Sequence, residues 1–141
     1  MKSRTLHISQ LIASYACQPQ VDLFREMFGD QVEVTVSLAR KFGREFDIPF
    51  AANRLLSGSA LVKYHAGYGS LMEKREALRA PIEARYKVEC EPARMKHIAT
   101  CESLSDALAK YNEECAPIWD DYMADRSALW ADCYINDEVP K

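Results

Sequence analysis

The chain has 141 residues, of which 48% are hydrophobic and 28% are charged, and its formal net charge is −3. This length and balance are typical of a globular protein that buries its own core, and they exclude an intrinsically disordered chain. No apolar run approaches the roughly 18 residues that a membrane-spanning helix needs, and the N-terminus lacks the apolar core of a signal peptide. We therefore expect a cytoplasmic protein without a membrane partner.

The cysteines and the charges add two expectations. The five cysteines are odd in number and form no Cys-x-x-Cys pair, which predicts reduced thiols rather than a disulfide framework or a zinc ribbon. Residues 1–101 carry 15 Lys and Arg against 11 Asp and Glu, whereas residues 102–141 carry 3 against 10. This split predicts either two segments that neutralise each other when they pack, or an acidic interaction surface.

Residues 1–57 predict a small helical head. Helix starts are indicated by a capping side chain or by a proline in the first turn, and they lie at Ser9, Pro19, Thr35 and Asp47. Gly29 can supply the turn that ends the second of these helices. Residues 6–8 are expected to be a brief extended lead-in. Residues 32–34 alternate like a strand, but the run is too short to predict one.

From Leu61 onward the sequence repeats about every 11 residues, which is three helical turns and keeps equivalent residues on one face. The equivalent positions are Tyr64, Arg75, Tyr86, His97, Tyr111 and Tyr122. The register breaks between His97 and Tyr111, where residues 103–106 have helix-capping chemistry. A chain reversal there predicts an antiparallel pair of helices, residues 71–101 against residues 105–134.

Together these patterns predict an all-α protein. The predicted parts are a helical head (residues 1–57), an antiparallel helical arm of about six 11-residue repeats (residues 59–135) and a frayed tail (residues 136–141). Pro81, Pro92 and Pro117 recur at one position of the repeat. Each removes a helical hydrogen bond, so each proline either kinks a long helix or begins a short one, and the pattern leaves both interpretations open.

Two sets of residues resemble known sequences. The head carries Ala16-Cys17, Gln20, Leu23-Phe24, Phe28-Gly29-Asp30, Val32-Glu33-Val34-Thr35 and Ala51-Ala52-Asn53-Arg54-Leu55-Leu56-Ser57. In the arm, residues 80–86 and 116–122 match a motif of the form Ala-Pro-Ala-Leu-Ala-Glu-Tyr. In these patches the chain resembles a group of small phage and prophage proteins. The resemblance implies a phage origin and action in the cytoplasm of a bacterial host, and it supplies no catalytic residue.

Metal-binding and catalytic patterns are weak. Cys90, His97 and Cys101 share one helical face and have ligand chemistry that suits zinc, but a fourth ligand is missing and the repeat explains the same positions as a packing stripe. His7 and His65 lie in no nucleophile or acid–base signature. We therefore expect neither a metal nor another cofactor, and no enzymatic activity.

Direct nucleic-acid binding is also disfavoured. The basic candidates are Arg40, Lys41, Arg44, Lys74, Arg75, Arg79, Arg85, Lys87, Arg94 and Lys96. Glutamates are interspersed among most of them, which is typical of a solvated or salt-bridged helix face rather than of a phosphate-binding surface.

The acidic C-terminal part carries the remaining candidate. The predicted partner-binding residues are Glu113, Glu114, Trp119, Asp120, Asp121, Tyr122, Asp125 and Trp130. Carboxylates along a helix can imitate the phosphates of a duplex, and exposed aromatic rings can anchor a partner. The alternative is that the aromatic residues belong to the core and that the acidic residues only keep the protein soluble.

These observations lead to one functional hypothesis with two alternatives. The hypothesis is a phage-derived, non-enzymatic inhibitor that binds a bacterial protein or ribonucleoprotein complex, such as a CRISPR effector. The first alternative is a self-associating structural module without an inhibitory role. The second, an enzyme of unrecognised type, would need a formed pocket that the sequence does not reveal.

Overall fold

The computed structural model describes residues 1–95 and 101–138, with the side chains of all of these except residues 92–95 and 101–103. The described part is mainly helical, as predicted. Its elements in chain order are β1 (Arg4–His7), α1 (Ile8–Ala13), α2 (Gln18–Phe28), β2 (Gln31–Val34), α3 (Val36–Phe42), a 3-10 turn (Gly43–Glu45), α4 (Ile48–Leu55), α5 (Gly58–Met95) and α6 (Cys101–Ile135).

A two-stranded sheet corrects the all-α prediction. Strands β1 and β2 pair antiparallel, with Arg4 opposite Val34 and Leu6 opposite Val32. Leu6 and Val34 are both buried, so one side of this small sheet joins the core. Each strand has four residues, and the two are separated by α1 and α2. Such short runs carry too little periodicity to predict a strand, and pairing between distant segments is a tertiary event.

Most of the predicted helix starts are confirmed. The Thr35 hydroxyl oxygen accepts a hydrogen bond from the Leu38 amide at 3.1 Å, and the Asp47 carboxylate accepts one from the Phe50 amide at 2.9 Å. Pro19 lies in the first turn of α2, and Gly29 ends that helix with a φ of +76°. The first helix differs, since it begins at Ile8 rather than after Ser9.

The chain divides into two compact units, residues 1–69 with 123–141 and residues 70–122. We call the first the core unit and the second the two-helix unit. This division differs from the predicted boundary at residues 57–59. The physical reason is that Ala60 and Tyr64 of α5, and Ala131 and Tyr134 of α6, are buried in the core that holds β1 to α4.

Aromatic and aliphatic side chains fill the core unit. Phe24, Phe28 and Phe46 pack with ring centroids 5.4 to 6.4 Å apart. Tyr134 is 1% exposed, and its hydroxyl donates a hydrogen bond to the Thr5 carbonyl oxygen at 3.1 Å. Gly43 lies where an added Cβ would overlap the Cβ and Oγ of Ser127, so close packing requires glycine there.

Asn136 and Asp137, at the beginning of the predicted frayed tail, form hydrogen bonds with Lys2 and Ser57. The Ser57 amide donates a hydrogen bond to the Asp137 carboxylate at 2.7 Å, and the Ser57 hydroxyl bonds to the same carboxylate. Lys2 Nζ donates to Asn136 Oδ1 at 3.0 Å. Because Ser57 immediately precedes α5, the Asp137 carboxylate also lies where the positive end of the helix dipole favours an anion.

In the two-helix unit, parts of α5 and α6 run antiparallel. Arg85 pairs with Glu114 at 3.0 Å and Glu89 pairs with Lys110 at 3.6 Å, while the Tyr86 and Tyr111 ring centroids lie 4.9 Å apart. The ranges of α5 and α6 include positions 81, 92 and 117, so none of the three prolines begins a helix.

Candidate protein-binding surface

The eight predicted partner-binding residues fall into both units. Six of them, Glu113, Glu114, Trp119, Asp120, Asp121 and Tyr122, belong to the two-helix unit, and Asp125 and Trp130 belong to the core unit. They differ in exposure and in bonding, so they do not act as one surface. Each unit is therefore described by itself.

Two of the predicted aromatic anchors are buried. Tyr122 is 5% exposed and Trp130 is 6% exposed, and Trp130 stacks on Tyr134 with ring centroids 5.3 Å apart. A partner cannot reach a ring whose surface is already covered by its own protein. The structure therefore corrects the expectation for Tyr122 and Trp130, whose rings have structural positions.

Asp125 and Glu114 each form an ion pair within the protein. Asp125 lies 2.8 Å from Arg40 in the core unit, and its side chain is 20% exposed. Glu114 lies 3.0 Å from Arg85 in the two-helix unit. These pairs match the expectation that part of the acidic charge is neutralised by basic residues of the same chain.

The remaining four residues are exposed and belong to the two-helix unit. Glu113, Asp120 and Asp121 are exposed, and Trp119 is 45% exposed. At about 100° per residue, Glu113 and Asp120 lie within about 20° of each other around α6, with Trp119 and Asp121 on either side. We call these four residues the acidic tryptophan surface.

Arg75 of α5 supports the exposed ring, and sequence reasoning did not identify it as part of the site. Its guanidinium carbon lies 5.7 Å from the Trp119 ring centroid and 4.7 Å from that of Tyr122. The two rings themselves are 5.6 Å apart. A guanidinium over aromatic faces is attracted by their electron density, which restrains the indole ring. Arg75 and Tyr122 hold equivalent positions of the 11-residue repeat, and this shared position was the signal that both face their own protein.

Charge pairing extends along the two-helix unit. Arg79 lies 3.0 Å from Glu76 and 3.6 Å from Glu83, while Lys87 lies 3.3 Å from Glu83. Hydrogen bonding to Arg79, followed by its positive charge, holds the pKa of Glu76 below its ordinary value. The basic residues of this segment are thus interleaved with acidic partners.

Metal-binding and thiol chemistry is limited in the described part of the chain. Residues 1–95 and 101–138 contain no group of three or more His, Cys, Asp or Glu side chains placed to hold a metal. The candidate ligands His97 and Cys101 have side chains outside the described set, while Cys90 is buried. Cys133 is also buried, and burial raises the pKa of its thiol.

Comparisons with known proteins found no similar protein. Neither the models of protein families, nor the curated proteins, nor the solved structures contain a match to this chain. Among the described helices, none has a stretch both long enough and apolar enough to cross a membrane.

Proposed function

We propose that the protein is a non-enzymatic inhibitor that binds a bacterial protein or ribonucleoprotein complex through the acidic tryptophan surface. The observation that carries this proposal is Trp119, a large aromatic side chain that is 45% exposed on a helix that also exposes Glu113, Asp120 and Asp121. Aromatic residues surrounded by polar groups are the commonest anchors of protein interfaces.

The charge of this surface defines the kind of partner. Glu113, Asp120 and Asp121 are exposed acidic residues of α6. A series of negative charges along a rod-like element attracts basic grooves that normally hold nucleic acid, and it increases the rate of encounter. A CRISPR effector is such a target, and the resemblance to phage proteins favours a complex that defends bacteria against phage.

The 11-residue repeat gives the surface its support in this proposal. Equivalent repeat positions meet across the helix pair, since Tyr86 contacts Tyr111 and Arg75 contacts Tyr122. The intervening outward positions are then left for charged residues and for Trp119. We infer that the repeat builds a paired helical scaffold that carries the binding residues.

Differential capture tests the proposal. The tagged protein is used to retain complexes from a nuclease-treated lysate of bacteria with an active CRISPR system, and retained proteins are quantified by mass spectrometry. The double variant D120K/D121K and the variant W119A are each expected to reduce retention of the target about tenfold or more. The purified target is then assayed for DNA cleavage with and without each variant.

A matched control separates local from general charge effects. Glu26 and Glu33 are exposed residues of the core unit, and E26K/E33K changes the net charge by the same amount as D120K/D121K. The control is expected to retain and inhibit the target like the unaltered protein. Equal retention by both double variants, with folding verified by circular dichroism, would refute the acidic tryptophan surface as the binding site.

Self-association is the second candidate, because the two-helix unit exposes several large apolar side chains. Leu78, Val88 and Leu108 are 48%, 68% and 46% exposed. Exposed apolar groups on one element can mark an interface with a second copy. Sedimentation velocity over a hundredfold concentration range distinguishes the two functions, since a constant monomer mass contradicts self-association.

A further inference from the structure

The outer side of strand β2 is an open edge of the small sheet. In an antiparallel pair, the backbone groups of successive residues alternately face the partner strand and point away from it. The Ile8 amide donates a hydrogen bond to the Asp30 carbonyl oxygen at 2.8 Å, and this bond fixes the alternation along the register of the two strands. The backbone groups of Val32 therefore face β1, and those of Gln31 and Glu33 point away from it.

The two edges of the sheet differ in their hydrogen bonds. On β1, the outward carbonyl oxygen of Thr5 accepts a hydrogen bond from the Tyr134 hydroxyl at 3.1 Å. The outward amide of His7 donates one to a side chain of α1 at 2.9 Å. On β2, the outward groups of Gln31 and Glu33 have no hydrogen-bond partner within residues 1–95 and 101–138. Each residue has one donor and one acceptor, so β2 offers two of each to a further strand.

The side chains of β2 indicate which strand fits this edge. Gln31 and Glu33 are exposed on one face of the sheet, whereas Val32 is partly buried against the core on the other face. A strand added beside β2 continues the alternation, so it places one set of side chains next to Gln31 and Glu33 and the other set next to Val32. A basic residue opposite Glu33 is favourable, and an acidic residue there is unfavourable.

A second copy of the chain fits the edge poorly. The symmetric register that uses both outward residues of each copy pairs Glu33 with Gln31 of the other molecule. The two Glu33 side chains are then diagonal neighbours, within reach of each other and without an opposite charge between them. The charge of β2 therefore favours a basic partner over self-pairing.

We infer that the β2 edge binds a second partner, an extended segment of another protein whose solvent-facing residues are basic and whose core-facing residues are apolar. The segment pairs antiparallel with β2, since antiparallel pairs are slightly more stable per residue than parallel ones. Its basic residues exchange main-chain hydrogen bonds with Gln31 and Glu33, and the apolar residue between them covers Val32. This inference is independent of the acidic tryptophan surface.

Titration of the full-length protein with a synthetic strand tests the inference. The probe is the peptide acetyl-Thr-Val-Lys-Val-Lys-Val-Thr-amide, and nuclear magnetic resonance follows the backbone amides. We expect saturable binding with a Kd of about 1 mM, which corresponds to four main-chain hydrogen bonds of ordinary strength. At saturation the Gln31 and Glu33 amide protons should shift downfield and exchange with solvent at least about fivefold more slowly. The Val32 amide, which already faces β1, should change less.

N-methylated peptides separate main-chain pairing from attraction between side chains. Methylation of the backbone nitrogens of both lysines removes the N–H groups that face β2, and it is expected to weaken binding about tenfold or more. Methylation of the backbone nitrogens of two valines removes as many N–H groups from the opposite edge of the peptide and should leave the affinity nearly unchanged. Equal affinities of the two methylated peptides would overturn the proposed pairing.

Charge variants test the chemistry of the partner. E33K is expected to weaken binding of the lysine peptide about fivefold and to strengthen binding of a peptide with glutamate in place of lysine by a similar factor. Glu26 is an exposed residue of α2 in the same unit, and E26K should bind both peptides like the unaltered protein. D120K/D121K should also bind them unaltered, so the two proposed binding sites can fail separately. Equal binding of both peptides to the unaltered protein would overturn the basic partner.

A proline in the strand tests the location of the site. Q31P removes an outward N–H group and no hydrogen bond to β1, a change that edge strands tolerate. Q31T keeps the N–H group and is the matched control. Binding of the lysine peptide should be about fivefold weaker in Q31P than in Q31T. Equal binding by the two folded variants, or no saturable shift up to about 10 mM peptide, would refute the site. If Q31P does not fold, the methylated peptides decide this point.

Discussion

The two units of this protein are stabilised by different kinds of contact. The core unit packs a sheet, several short helices and parts of α5 and α6 around side chains such as Leu56 and Ala131, which are 0% exposed. In the two-helix unit, half-exposed rings and ion pairs join two helices, and large apolar residues such as Val88 remain exposed. Buried apolar area contributes most of the stability of a fold, whereas exposed ion pairs contribute little. Changes in the core unit should therefore reduce stability most, and changes at the exposed contacts of the two-helix unit should reduce it least.

The largest loss of stability is expected from G43A in the core unit. The added methyl group overlaps Ser127, and overpacking of this kind destabilises proteins by about 1 to 3 kcal/mol. The free energy of unfolding is measured by urea denaturation. The double variant G43A/S127G should be more stable than the sum of the two single effects by about 1 to 2 kcal/mol. G69A is the control, since nothing lies within 4 Å of a Cβ added there, and its helical position predicts a small gain.

A loss of about 1 to 2 kcal/mol is expected from D137A, because the amide and hydroxyl of Ser57 both lose their acceptor at the start of α5. Asp121 is an exposed carboxylate of the two-helix unit, and D121A should change stability by less than about 0.5 kcal/mol. Urea denaturation of both variants makes the comparison. Equal stabilities would mean that the C-terminal contact does not stabilise the fold.

A smaller loss of stability is expected from Y134F, and this loss depends on pH. At neutral pH the variant loses the hydrogen bond to Thr5, which corresponds to about 1 kcal/mol. Burial raises the pKa of Tyr134, so the folded protein keeps this proton at pH values where the unfolded chain loses it. Its contribution is complete below about pH 10 and is lost as the pH rises through the folded-state pKa.

Thermal unfolding at a series of alkaline pH values measures this effect. The melting temperature of Y134F should fall less steeply above about pH 10 than that of the unaltered protein. Tyr15 is 85% exposed, and Y15F provides the control. Parallel curves for Y134F and the unaltered protein would contradict the assignment of the alkaline loss to Tyr134.

The smallest loss of stability is expected from a change in the two-helix unit. Arg85 and Glu114 form an ion pair whose side chains are 60% and 33% exposed, so R85A should cost about 0.2 to 0.5 kcal/mol and less at high salt. The charge exchange R85E/E114R should restore most of this loss. A loss above about 1 kcal/mol that persists at high salt would show that the unit is stabilised more strongly than its exposed contacts indicate.

Some parts of the fold could be predicted because they depend on neighbouring residues. Thr35 and Asp47 cap helices through amides three residues away, and Pro19 suits a first helical turn by its fixed φ. The strand pairing of β1 with β2 could not be predicted, because it depends on residues about 30 positions apart. The division into two units differs from the predicted boundary at residues 57–59 for a similar reason, since residues of α5 after Gly58 are buried in the same core as β1 to α4.

The burial of the aromatic residues in the candidate site also could not be predicted from the sequence. Trp119, Tyr122 and Trp130 are alike in the sequence, where each is an aromatic residue among acidic ones. Only packing separates them, because Tyr122 and Trp130 are buried and Trp119 is half exposed. Asp125 and Glu114 lie beside Arg40 and Arg85, and the sequence does not show which basic residue the fold places next to each carboxylate.

By itself, the sequence determined the helical character of the chain, the caps of α3 and α4 and the 11-residue spacing, because each depends on backbone preferences and side-chain periodicity over a few turns. The tertiary structure alone decided which aromatic rings are buried, which carboxylates are paired and where the two units divide. These outcomes depend on contacts between residues that are distant in the chain, whose free energies local patterns do not contain.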